Sequence, residues 1–295
     1  MSLYQLLIEP FAQYGFMGRA LAGAMILTLS AGPVGVFLTL RRMSLTGDAM
    51  AHAILPGAAA GFLISGLAIL PMTLGGFAAG LIVALLAGLV ARFSIQREDS
   101  SLAAFYLISL ALGVMLISLR GSNVDLMHVL FGTVLALNND ALIMIGAIVS
   151  ISLVGLAIIW RGLVAECLDP NFLRSVSRAG HPVHLVFLGL VVLNLVGGFQ
   201  ALGTLLAVGL MMLPAAAARF WVRGLEAMCG LAIGIGAVSS LFRLADFLSF
   251  ERGVGAGNHF GGGVGLCRVA DFRATGRGVF KAALAAAQNC VRRIE

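Results

Sequence analysis

Charged residues are scarce in this sequence, at 11% of 295 residues, and lysine occurs once, at Lys281. Soluble domains carry about 25% charged residues, so an ordinary water-facing surface is excluded. Cysteine is equally uninformative: Cys167, Cys229, Cys267 and Cys290 show no CxxC or zinc-finger spacing, which removes a disulfide framework and a thiolate site. No GxxxxGK[ST] is present, so the chain does not hydrolyse nucleotide by that route, and no HExxH or GxSxG supports an intramembrane hydrolase. The opening MSLYQLLIEPFAQYGF lacks a basic n-region and a cleavage signal. A net charge of +6 suggests nucleic acid at first sight, but the arginines flank apolar runs. They read as topology determinants, not as a nucleic-acid surface.

What is abundant is apolar. Hydrophobic residues make up 60% of the chain and mean hydropathy is +1.03, against about 45–50% apolar in soluble domains. The expectation is an all-α polytopic membrane protein of about eight spans, at roughly 20 residues per crossing. The apolar runs place them near 15–40, 48–66, 68–92, 101–119, 138–160, 182–199, 203–220 and 224–242. Thirty-eight glycines give many small-xxx-small spacings, such as Gly230 and Gly234, which suit close helix packing in lipid. Residues 123–139 are too short and polar for a crossing and read as an interfacial helix.

Alternating sides through these spans puts Arg41, Arg42, Arg92, Arg97, Arg161, Arg174, Arg178, Arg219 and Arg223 on one face, opposite Arg19 and Arg120. The richer face is the cytoplasmic one. The longest hydrophilic connection, 160–182, then lies inside the cell. Asp169 and Pro170 mark a helix start there, with Phe172 and Val176 on one side and Arg174 and Arg178 on the other, as a docking surface for a cytoplasmic partner requires.

The polar residues that carry chemistry lie in 41–61, RRMSLTGDAMAHAILPGAAAG. Asp48 and His52 are four residues apart and share one helix face. An ionisable group near the middle of a bilayer costs roughly 2.5–3.5 kcal/mol on insertion scales, and carboxylate beside imidazole binds divalent transition metals. The bland reading has Ser44 or Thr46 capping a helix, Asp48 complementing its dipole and His52 bonding a neighbour. HAILPG recurs in outline as LMMLPA around Pro214, either as paired interrupted helices of a transporter or by chance in an Ala/Gly/Leu-rich chain. Asp125 with His128 reads as an exposed helix start, Gln200 with Thr204 as a turn contact ahead of an outer-vestibule lining, and His181 and His184 as solvent-exposed imidazoles.

RRMSLTGDAMAHAILPG, VDLMHVLFG, CLDPNFLRSVSRAG and ALGTLLAVGLMMLPAAAAR, in this order, resemble the permease subunits of the zinc/manganese family of bacterial ABC importers, over about 14–241. The resemblance implies a homodimer in the inner membrane, in contact with membrane lipid, without a nucleotide site of its own. It implies a cytoplasmic ABC ATPase dimer and a periplasmic or lipid-anchored metal-binding protein as partners. Zn²⁺, or less favoured Mn²⁺, would be the transported ion, with no permanently bound cofactor. Asp48 and His52 would line the metal path, and 169–180 would dock on the ATPase through Asp169, Pro170, Phe172, Arg174 and Arg178. An ATP-independent secondary or proton-coupled metal transporter is the alternative.

The chain departs from the family after residue 242, so it divides into a permease domain, 1–242, and an atypical basic tail, 243–295, expected to be irregular. Family members usually continue with GLLxSYHxxxxSGPAIxL and a further span. Codons permitted for 243–260, read one nucleotide downstream, can spell GLLISFHLSGASAPGIIL, which points to a frameshift that the coding DNA would reveal.

Overall fold

The computed structural model describes residues 15–66, 68–93, 98–118, 139–168 and 180–254. Among the described residues every regular element is a helix. In chain order these are α1 (Gly15–Leu40), α2 (Ser44–Ala53), α3 (Leu55–Ser65), α4 (Ile69–Phe93), α5 (Glu98–Ser118), α6 (Asn139–Leu168), α7 (Gly180–Leu202), α8 (Thr204–Trp221) and α9 (Leu225–Val254). The interfacial segment with Asp125 and His128, and the docking residues Asp169, Pro170, Phe172, Arg174 and Arg178, lie outside the described residues. So does the tail beyond Val254.

Among the described residues five stretches are long and apolar enough to cross a bilayer: Gly18–Leu40, Leu45–Ser65, Leu70–Val90, Asn139–Leu168 and Pro182–Phe199. Ser100–Leu116, Leu206–Trp221 and Leu225–Leu241 are shorter apolar helices. The protein is therefore an all-α polytopic membrane protein, as its composition requires. Leu74, Ile82, Leu85 and Leu89 on α4, Leu107, Leu112 and Met115 on α5, and Ile151, Val154 and Ile158 on α6 stand exposed. Such apolar belts are unsustainable in water and ordinary against acyl chains.

The core forms where α1 and α7 meet the helices around them. Phe37 of α1 packs edge-on to Trp160 of α6 and Phe187 of α7, with ring centroids 5.1 and 6.3 Å apart. Higher in the same α1–α7 seam Ser30 Oγ donates to Asn194 Oδ1 at 2.5 Å, and Asn194 Nδ2 donates to the Leu190 carbonyl at 2.9 Å. A pair of this kind contributes about 0.6 kcal/mol between membrane helices, and satisfies groups that lipid would leave bare.

Glycine sets the closest approaches. A Cβ at Gly35 would run into the Met211 carbonyl of α8, and Gly57 of α3 and Gly75 of α4 would each strike the other's carbonyl. A Cβ at Gly230 or Gly234, singled out by spacing, would meet no described atom of another helix within 4 Å. Spacing identifies a smooth helix surface but not which surface is used.

Three boundaries differ from the sequence expectation for physical reasons. Helix α6 runs on to Leu168, because Leu163 and Glu166 are buried and continue its inward face past Trp160. Helix α9 carries helical backbone across the composition break to Val254. Pro214 stays inside a continuous α8, whereas Pro56 stands at the start of α3, where α2 passes into α3 through Ile54 with helical dihedrals (φ −72°, ψ −27°), so neither Leu-Pro element is unwound. Pro56 offers no N–H to the carbonyl four residues back, that of His52. Beside this junction, Ser109 Oγ of α5 donates to the Ala53 carbonyl at 3.0 Å.

Candidate functional site

Helix α2 is rooted in a tight turn. The Met43 N–H bonds the Leu38 carbonyl at 3.0 Å and the Arg42 N–H bonds the Thr39 carbonyl at 3.2 Å, with Arg42 at a φ of 60°. This is a Schellman termination of α1, with arginine where glycine is usual, at a conformational cost of roughly 1–2 kcal/mol. Met43 and Leu38, which flank it, are both buried in one cluster. Arg219 of α8 adds a charged cap, Nη1 donating to the Thr39 carbonyl at 3.2 Å. The turn thus fixes where α2 starts and in which direction it points.

From there α2 runs between α5 and α7, touching α4 and α8 as well. Thr46, Gly47, Ala49, Met50, Ala51 and Ala53 are all buried. Gly47 keeps that side close-fitting: a Cβ there would stand 3.1 and 3.2 Å from the Met211 and Met212 methyl carbons, which would have to shift by a few tenths of an ångström. One stripe remains open: Leu45 and Asp48 are exposed and His52 is half-buried, at the i, i+3 and i+7 positions of a helix face.

On that stripe the Asp48 side chain is 61% exposed and that of His52 35%, with Nε2 3.9 Å from Asp48 Oδ1. Tyr106 of α5 stacks on the imidazole, centroids 6.0 Å apart and planes at 28°. The ring is therefore held with Nε2 towards Asp48, while Nδ1 is buried without a hydrogen-bond partner. The capping alternative does not hold: the residue before the helix is Met43, no side chain caps it, the Thr46 hydroxyl is unpartnered and Asp48 lies beyond the first turn. Nor does His52 bond a neighbouring helix through its free nitrogen. A carboxylate and an imidazole, side by side and open on one face, are donor types that divalent transition metals accept. Among the described residues no group of three or more potential ligands forms within the single chain.

Sequence reasoning missed a second polar cluster. His184, expected to be solvent-exposed, is buried, and so is Glu166. Arg41 Nη2 donates to Glu166 Oε1 at 2.5 Å and lies 2.6 Å from His184 Nδ1. No local signal marks this, because the three residues come from separate helix ends. The side chains of His181, Gln200 and Thr204 lie outside the described residues. At the opposite end of the bundle Arg19 Nη1 reaches Asn139 Oδ1 at 3.4 Å, so the starts of α1 and α6 share a face, as the alternation of sides requires.

Three comparisons bear on this arrangement. Residues 13–259 match the family described as ABC 3 transport family. The chain is 32% identical over 252 residues to the manganese import system permease protein ScaB of Streptococcus parasanguinis, covering 85% of this chain and 88% of that one. It is 34% identical over 253 residues to the manganese transport system membrane protein MntC of Listeria innocua, covering 85% and 88%. It is also 27% identical over 248 residues to the chelated iron transport system membrane protein YfeC of Yersinia pestis, covering 84% and 82%. Among solved structures, PsaBC from Streptococcus pneumoniae in complex with Fab superposes with a TM-score of 0.68 at 29% identity, over 83% of this chain and 93% of that one.

Proposed function

The chain belongs to the ABC 3 transport family, as a permease subunit of metal-type ABC importers, and from that premise we propose that it conducts a divalent transition metal into the cytoplasm past Asp48 and His52. The observation that carries this reading is the open Asp48–His52 stripe on a helix otherwise enclosed by its own chain. A carboxylate turned to acyl chains would cost roughly 2.5–3.5 kcal/mol, so the stripe faces water or a partner. A second copy of the permease supplies that partner. Two carboxylates and two imidazoles then converge on one axis and give a four-donor waypoint, weak enough to release the ion.

The chain itself is a transport subunit. ATP is hydrolysed by a cytoplasmic ABC ATPase dimer docked on 169–180 through Asp169, Pro170, Phe172, Arg174 and Arg178, and a metal-binding protein delivers the ion from the periplasmic side of the inner membrane. ATP binding switches access between the two sides. The donor set alone tilts modestly to Zn²⁺ through its nitrogen ligand, but the names of the relatives support Mn²⁺ ahead of it.

The test is uptake by the reconstituted complex of permease, ATPase and binding protein in proteoliposomes. Manganese accumulation that requires ATP, with manganese stimulating hydrolysis more than zinc, is the expected result. Equal uptake without ATP would contradict the importer reading and favour a secondary transporter. Stronger stimulation by zinc would reverse the order of the metals alone.

A further inference from the structure

Among the described residues Glu166 and His184 are the only carboxylate and imidazole that are buried, and the transport path uses neither. They lie on either side of the cytoplasmic segment 169–179. Glu166 is in the last turn of α6, which ends at Leu168, and His184 follows the start of α7 at Gly180. Between them reaches Arg41, from the turn immediately before α2. Its guanidinium bonds Glu166 Oε1, lies against His184 Nδ1 and covers the Phe187 ring at 5.2 Å, while His184 Nδ1 is 3.7 Å from the same carboxylate oxygen. Three helix ends are joined through one guanidinium.

A static strut would be built otherwise. An arginine at the inner rim of a membrane bundle ordinarily extends its head to water, yet the Arg41 side chain is 10% exposed and that of Glu166 5%. Well-packed apolar residues of similar volume would hold the same helices at least as firmly as a buried ion pair. The network is also incomplete: Arg41 Nη1 and Glu166 Oε2 are buried without hydrogen-bond partners. Half-satisfied networks in a low-dielectric setting are costly, so the pairing seen here is not the one that a purely structural contact would favour. The lever on the other side is stiff, because Arg41 belongs to the Schellman turn that fixes the start of α2.

We propose that Arg41, Glu166 and His184 form the joint through which movement of the end of α6 against the start of α7 reaches α2, and with it Asp48 and His52. The inference rests on the transport reading above. In that scheme the three are positioning residues: movement of α6 against α7 exchanges the partners of the Glu166 carboxylate, and the Arg41 turn carries α2 with it. No displacement is transmitted when the charges are absent, even though the helices remain packed.

The experiment compares the reconstituted complex carrying wild type, Glu166→Gln, or the double variant Arg41→Met with Glu166→Leu. The double variant leaves no unpaired buried charge and so guards against simple misfolding. ATP hydrolysis is expected to stay near the wild-type rate while metal moved per ATP falls roughly tenfold. Hydrolysis and transport falling together, in proportion to the complex recovered, would assign the cluster a purely structural role and overturn the proposal. An unchanged ratio in the double variant would overturn it as well. A wild-type complex that moves no metal would instead remove the transport reading, and this inference with it, which separates the two failures.

Discussion

Asp48→Ala is expected to abolish metal uptake while the permease still inserts in the membrane and still assembles with its ATPase, and His52→Ala should do the same. Asp48 is on the open stripe of α2 and its side chain is 61% exposed, whereas the buried residues of that helix lie on its other sides. Truncating Asp48 therefore removes a donor and not a core contact, while truncating His52 removes a donor together with its stacking on Tyr106. In a two-fold assembly each substitution removes two donors at once, so the loss should exceed the roughly 10–100-fold typical of losing an outer-shell partner. The check is accumulation of labelled metal in cells, normalised to the amount of permease in the membrane. Full uptake by both variants would take the pair out of the mechanism. Loss of the protein from the membrane would show that α2 needs these side chains to fold.

The second large effect concerns assembly of the bundle. Gly35→Leu and Gly57→Leu should each eliminate folded permease, because the added atoms would meet a backbone carbonyl, of Met211 and of Gly75 respectively. Ordinary overpacking costs about 1–3 kcal/mol when a flexible side chain can yield. A carbonyl fixed in a helix cannot, so the cost should lie at or above the top of that range. Gly88→Leu is the matched control, since no heavy atom lies within 4 Å of its Cβ position. A monodisperse size-exclusion peak for Gly88→Leu, and its disappearance for the other two, is the expected pattern. Normal peaks for Gly35→Leu or Gly57→Leu would show that α1 and α8, or α3 and α4, are not as close as described.

These residues show what could be read from the chain alone. Crossings were legible because lipid demands long apolar runs, and the seam of Asp48 and His52 because two ionisable groups in such a run stand out against their neighbours. The resemblance in 41–61 and in the stretch around Pro214 located the family, which the match over 13–259 bears out. What escaped depends on distant parts of the fold. His184 follows a proline in a polar stretch and looks exposed; it is buried because Arg41 and Glu166 come to meet it from other helices. Pro56 and Pro214 share a local motif, yet one stands in the first turn of α3 and the other is carried in the interior of α8. The glycines that matter are Gly35, Gly57 and Gly75, and nothing in spacing distinguishes them from Gly230 and Gly234.

The central claim is that the Asp48 side faces an aqueous path. A single-cysteine Asp48→Cys permease, with Cys167, Cys229, Cys267 and Cys290 replaced, allows the most direct measurement: thiol modification of the assembled complex in native membranes. Reaction with a charged, water-soluble reagent, slowed by manganese held through the remaining His52, is the predicted result. Reaction only with a lipid-soluble reagent, indifferent to metal, would mean that the stripe looks out on acyl chains and that the ion travels elsewhere.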